Sequence, residues 1–204
     1  MAKTTKLTTN ITEKEFDKGY WYASEIKVFA KQLGIANSAK LRKDELEQLI
    51  KHFLRTGQVI RSNRKNVVKT GAKDIDVGLT TSLPIVHYTS NKQTKNFIKT
   101  ETNKLAPGLK IKSGVWYRVN RWRDEQITKG KTITYGDLIN QFIKLNQTSG
   151  KFEKVPVGRY INFISDFLAN EKGATRQKAI KEWKELKTLD AEKNYESWKQ
   201  HKKN

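Results

Sequence analysis

The apolar residues of this chain recur at spacings of three and four, and that spacing restricts what the chain can become. Tyr22, Ile26, Phe29, Ala30 and Leu33 fall on one side of a helix, as do Leu46, Leu49, Ile50, Phe53 and Leu54. Further along, Val115, Trp116, Val119 and Trp122 share a face, then Tyr135, Leu138, Ile139 and Phe142, then Tyr160, Ile161, Ile164, Phe167 and Leu168. Ile180, Trp183 and Leu186 continue the series, and Tyr195 with Trp198 suggests a last turn. Each stripe must be buried against another element, so the expectation is a mostly α protein. Stop and start signals fit. Gly34 and Gly57 stand where the first two helices should end, and Pro107-Gly108 reads as a turn. Thr134-Tyr135-Gly136-Asp137 has a hydroxyl followed three residues later by a carboxylate, the capping-box pattern of a helix start.

The same reading divides the chain. Residues 1–11 are Thr/Lys-rich and expected to be flexible, and residues 12–57 hold the first two long apolar stripes. From 58 to 83 Gly71, Gly78, Lys, Asn and Thr interrupt any helical period, which predicts a basic linker. Residues 84–200 are expected to form a second helical domain, and 201–204 a loose tail.

Charge narrows the function. Lys and Arg number 41 against 21 Asp and Glu, a formal net charge of +20. Segment 61–110 is the most basic per residue, with 10 basic and 3 acidic side chains. Such a surplus favours a polyanionic partner. Aromatic residues make up 10% of the chain, too many for a wholly disordered basic tail. No apolar run approaches the roughly 18 residues that span a bilayer, and no basic amphipathic helix at a terminus suggests a membrane surface. Met1-Ala2-Lys3-Thr4-Thr5-Lys6 has no apolar core, so no secretory leader is expected and the expected setting is the cytoplasm, with access to the nucleoid.

Enzyme chemistry finds little material. With no Cys, the chain has no disulfide, thiol nucleophile or Cys-ligated metal. His52, His87 and His201 are isolated, and no phosphate-binding Gly-rich loop occurs. Asp74 and Asp76 form an Asp-x-Asp pair that suits a divalent cation, but in a polar linker such a pair is more often a solvated turn. The expectation is a protein without cofactor, metal or catalytic residue.

Residues 22–54 carry the informative motif. The segment runs from Ala23-Ser24-Glu25-Ile26-Lys27 through Leu33-Gly34-Ile35 and Ser38-Ala39-Lys40 to Asp44-Glu45-Leu46 and Leu49-Ile50. It resembles the SAP family of DNA-binding modules and, more loosely, the helix–extended-loop–helix and LEM modules. Two places depart from the family pattern: Ala39 stands where Gly is usual, and Leu41-Arg42 is inserted before the second helix. The resemblance implies a bacterial or phage-type protein that binds double-stranded DNA with little base specificity. Its phosphate contacts would come from Ser38, Lys40, Arg42 and Lys43, with Lys27 and Lys31 as secondary contacts on the first helix. Arg61, Arg64, Lys65, Lys69 and Lys73 in the linker add candidates for salt-sensitive affinity.

The remainder resembles a second, uncharacterised helical domain of bacterial SAP-like proteins, through Tyr88-Thr89-Ser90-Asn91, Thr132 to Leu138 and Gly158 to Phe167; that resemblance implies no mechanism. Read on its own chemistry, Trp116-Tyr117-Arg118-Val119-Asn120-Arg121-Trp122-Arg123 interleaves aromatics with Arg118, Arg121 and Arg123. That composition suits single-stranded RNA or DNA, if the rings are exposed, and otherwise a core helix with outward arginines. Arg159 suits either an anion or a pair with Asp166. Two alternatives to duplex binding therefore stand: RNA or single-strand binding through 116–123, and a protein-interaction adaptor built on the SAP/LEM-like module.

Overall fold

The computed structural model describes residues 7–62 and 71–203. Among them the chain is all-α, with ten helices and no strand. It divides into two compact units, Met1–Ser62 with Glu153–Asn204, and Asn63–Phe152.

Unit 1 begins with α1 (Glu13–Lys18), α2 (Ala23–Gln32), a 3-10 turn (Ser38–Lys40) and α3 (Lys43–Thr56). Local chemistry sets their ends. Thr12 caps α1: its Oγ1 accepts from the Glu15 N–H at 3.2 Å, and Glu15 accepts from the Thr12 N–H at 2.9 Å. Glu25 and Glu45 accept the N–H groups of Tyr22 and Arg42, the residues just before α2 and α3. Gly34 and Gly57 follow α2 and α3 with φ of +79° and +70°, a left-handed region that a Cβ disfavours. The buried faces of α1, α2 and α3 meet through Phe16, Ile26, Phe29, Leu46 and Ile50. Tyr22, expected on the inner face, instead precedes α2 and is 52% exposed.

The C-terminal part of unit 1 holds α8 (Arg159–Asn170), α9 (Arg176–Leu186) and α10 (Tyr195–Lys203), packed around Phe163, Phe167, Trp183 and Trp198. On α8, Ile161 and Leu168 stay exposed at 71% and 43%, because the buried side is Phe163, Ile164 and Phe167. Several interactions join this part to the N-terminal helices, among them a ring contact and a guanidinium clamp. The Tyr20 ring meets Trp183 edge-on at 4.9 Å. Arg159 donates from one guanidinium nitrogen to the carbonyls of Asp17 and Gly19, at 2.8 and 2.5 Å. Arg159 is therefore a structural cation held by backbone carbonyls at the end of α1, with the Asp17 carboxylate 3.9 Å away, and Asp166 pairs with Lys154 instead.

Unit 2 contains α4 (Asp74–Val77), α5 (Lys92–Leu105), α6 (Val115–Thr128) and α7 (Tyr135–Gln147). The capping box at Thr134 and Asp137 forms as expected. Ile98, Val119, Leu138, Ile139 and Phe142 are fully buried. A chain segment crosses the start of α7 by backbone bonds, from the Ile85 N–H to the Ile133 carbonyl, the Tyr135 N–H to the Leu83 carbonyl and the Gly136 N–H to the Thr81 carbonyl. At Gly136 a Cβ would sit 2.9 Å from that Thr81 carbonyl, so glycine is required for the approach.

This arrangement differs from the predicted organisation in two ways. The linker expected over 58–83 ends earlier, because residues from Gly71 onward belong to unit 2. The helical domain expected over 84–200 is split, the part from Glu153 onward joining the N-terminal helices. The reason is that helical stripes show that a face must be covered, without showing which partner covers it.

Replacing Arg159 by Ala strips a charged donor from two carbonyls. The expected loss is about 1.5–3 kcal/mol, read as a lower urea midpoint. Arg159→Lys should recover little, because the native contact depends on the placement of the guanidinium.

Candidate nucleic-acid interface

Helix α2 presents Lys27 and Lys31 four residues apart on its solvent side, both exposed, with no ion pair among the described residues. Burial of Ile26, Phe29, Ala30 and Leu33 fixes this orientation, since those side chains occupy the opposite side. Lys40 is exposed in the 3-10 turn that leads to α3. Arg42 sits at the N-cap of α3 and is half-buried.

Two predicted contacts are committed to the fold. Ser38 is buried. Lys43 places its ammonium 3.6 Å from Glu47 and 4.8 Å from the centre of the Tyr20 ring. Burial pushes the Lys43 pKa down from the usual lysine value, and burial pushes the Glu47 carboxyl up, each opposed by its partner. Lys43 thus secures the packing of α3 beside Tyr20. Asp44 and Glu45 in the first turn of α3 place negative charge beside that helix start, so the N–H groups there are a weaker anion site than the resemblance implies.

Arg61 is exposed beyond α3. Arg64, Lys65 and Lys69 lie outside the described residues, and Lys73 is exposed just before α4.

Segment 116–123 is half-buried: Val119 is in the core, Tyr117 is exposed, and the other side chains are partly covered. Trp116 packs on Phe142 with ring centres 4.6 Å apart, and Trp122 packs against the same core. Arg118 lies 4.2 Å over the Phe152 ring and donates to the Gly114 carbonyl. Arg121 donates to the Tyr117 hydroxyl at 3.0 Å and reaches Glu125. Arg123 is held by Asp124 and Asn120 and covers the Tyr88 ring at 4.0 Å. Three arginines that looked available for phosphates are thus engaged with unit 2 itself.

The Asp74/Asp76 pair also resolves. Asp74 is 4% exposed, accepts the His87 N–H at 2.6 Å and accepts the Tyr135 hydroxyl at 3.1 Å. Burial first, then the Asp74 charge, pushes the Tyr135 hydroxyl pKa up. Asp76 is exposed, so the two carboxylates do not converge. Asp74 is neither a metal ligand of that pair nor part of a solvated turn; it ties α4 to α7. The signal for this was weak in sequence, because Tyr135 lies 61 positions away. Among the described residues no three or more His, Asp or Glu side chains gather where they would hold a metal, and no helix is long and apolar enough to cross a membrane.

Exchange of Lys43 for Gln leaves the Glu47 carboxyl buried without its cation and should cost about 1–3 kcal/mol in a urea titration. Lys27→Gln, on the open face of α2, should change stability by less than about 0.5 kcal/mol.

A scan against protein-family models, a search of curated proteins and a search of solved structures each return no match for this chain.

Proposed function

We propose that the chain binds double-stranded DNA without catalysis, mainly through phosphates, using the open side of α2 and the turn before α3. The observation that carries this reading is the uncommitted charge of Lys27 and Lys31, with exposed Lys40 in the connection. A helix, a short turn and a second helix packed on it hold these cations on a rigid frame, which suits a regular line of phosphates. The resemblance of 22–54 to SAP modules supports the same partner. The net charge of +20 supplies long-range attraction for any polyanion. The arginines of 116–123 already have partners within unit 2, which weighs against that segment as the principal contact.

Affinity should follow counterion release. From the three contacts at Lys27, Lys31 and Lys40 alone, binding to duplex DNA should fall by about 40-fold between 50 and 200 mM salt, and more steeply with each further contact. Combined Lys27→Gln, Lys31→Gln and Lys40→Gln should lower the slope of log affinity against log salt by roughly 2.7, about 0.9 for each contact. Lys43→Gln should leave that slope unchanged. Fluorescence anisotropy with labelled duplex reads both; an unaltered slope in the triple variant contradicts the proposal.

A further inference from the structure

We propose that unit 1 holds a second site, a groove that takes a short segment of single-stranded polynucleotide, with a base against Tyr22 and phosphates on Lys184 and Lys187. This site does not depend on the duplex face. The groove has a volume of about 970 Å³ and runs between α1 and α2 on one side and the end of α9 on the other. Its floor is unusual for a basic surface. Tyr22 and Val28 are 52% and 60% exposed and line the groove together with Tyr20. Tyr20 meets the Tyr22 ring edge-on at 5.4 Å and is itself fixed by Trp183, so the aromatic platform rests on a buried tryptophan.

The charges of the groove are unequally committed. Its three carboxylates have partners within the unit: Glu15 accepts from Thr12, Glu25 from the Tyr22 N–H, and Asp190 from Lys18 at 3.2 Å. Lys193 is buried and donates to the carbonyls of Leu189 and Ala191. Lys14 and Lys184 are exposed and make no ion pair among the described residues. Lys187 reaches only a neutral group, the Tyr22 hydroxyl at 2.8 Å, with its ammonium 5.2 Å from the centre of that ring. Five lysines line the groove against three carboxylates, and an open aromatic and apolar floor with ammonium groups in excess along it complements two features at once. Flat base faces cover the floor, and phosphates take the lysines. A duplex hides its base faces, so it meets only half of this chemistry.

The test titrates the full chain into labelled oligothymidylate, oligouridylate, the 2′-deoxy counterpart of oligouridylate and an abasic oligonucleotide of equal length. The oligothymidylate should bind better than the abasic strand, and comparison of oligouridylate with its 2′-deoxy counterpart, which differ only in the 2′-hydroxyl, tells DNA from RNA as the source of the strand. Tyr22→Ala should weaken oligothymidylate binding by about 5- to 100-fold, while Tyr22→Phe, which keeps the ring, retains most of it. Lys184→Ala with Lys187→Ala should reduce the salt slope by about 1.4, near 0.7 for each contact on a single strand. Lys27→Gln with Lys31→Gln should leave oligothymidylate binding within about twofold, which separates this groove from the duplex face. Equal binding of the abasic strand would overturn base recognition. Unchanged affinity in both Tyr22→Ala and the double lysine variant, or no single-strand binding by the native chain, would overturn the site.

Discussion

Arg159 places its guanidinium on the carbonyl oxygens of Asp17 and Gly19, and Tyr20, the next residue, packs edge-on against Trp183. Helix α1 leaves its last carbonyls without partners, and a cation from the start of α8 supplies one. Because residues 140 and 142 positions apart are joined there, the N-terminal helices and the C-terminal three become one unit. That joint also brings the end of α9 beside α2 and so creates the groove lined by Tyr22, Val28, Lys184 and Lys187. Lys43 over Tyr20 and Glu47 beneath Lys43 extend the same contact into α3.

The basic residues then separate by chemistry. In unit 2 the three arginines of α6 bind ring faces, a hydroxyl and carboxylates, uses that favour a planar, weakly hydrated guanidinium. In unit 1 lysines at 27, 31 and 184 extend into solvent. An ammonium on a flexible stem is easily kept hydrated there and costs little to hand to a phosphate. Net charge alone does not distinguish these two populations. Position within the packing does, and it leaves the segment richest in arginine already engaged with its own unit.

Much of the helical content was legible because it is local. The buried faces of α2, α3 and α7, the terminating Gly34 and Gly57, and the capping box at Thr134 follow from residues a few positions apart. What was not legible depends on distant partners. Ile161 and Leu168 carry the spacing of a buried stripe yet stay exposed. Asp74 looks like a polar turn residue until Tyr135 and His87 are placed around it. Lys43 looks like a phosphate contact until Glu47 and Tyr20 claim it. Lys27 and Lys31 could be read from sequence because their placement follows directly from the apolar residues behind them on α2. The groove could not, because its two walls come from opposite ends of the chain.

The most direct measurement is residue-resolved: amide chemical shifts of the full labelled chain as duplex DNA is added in steps. Perturbations should concentrate between Ser24 and Lys40, with α6 little changed. Shifts centred on residues 114–123, with 24–40 undisturbed, would contradict it.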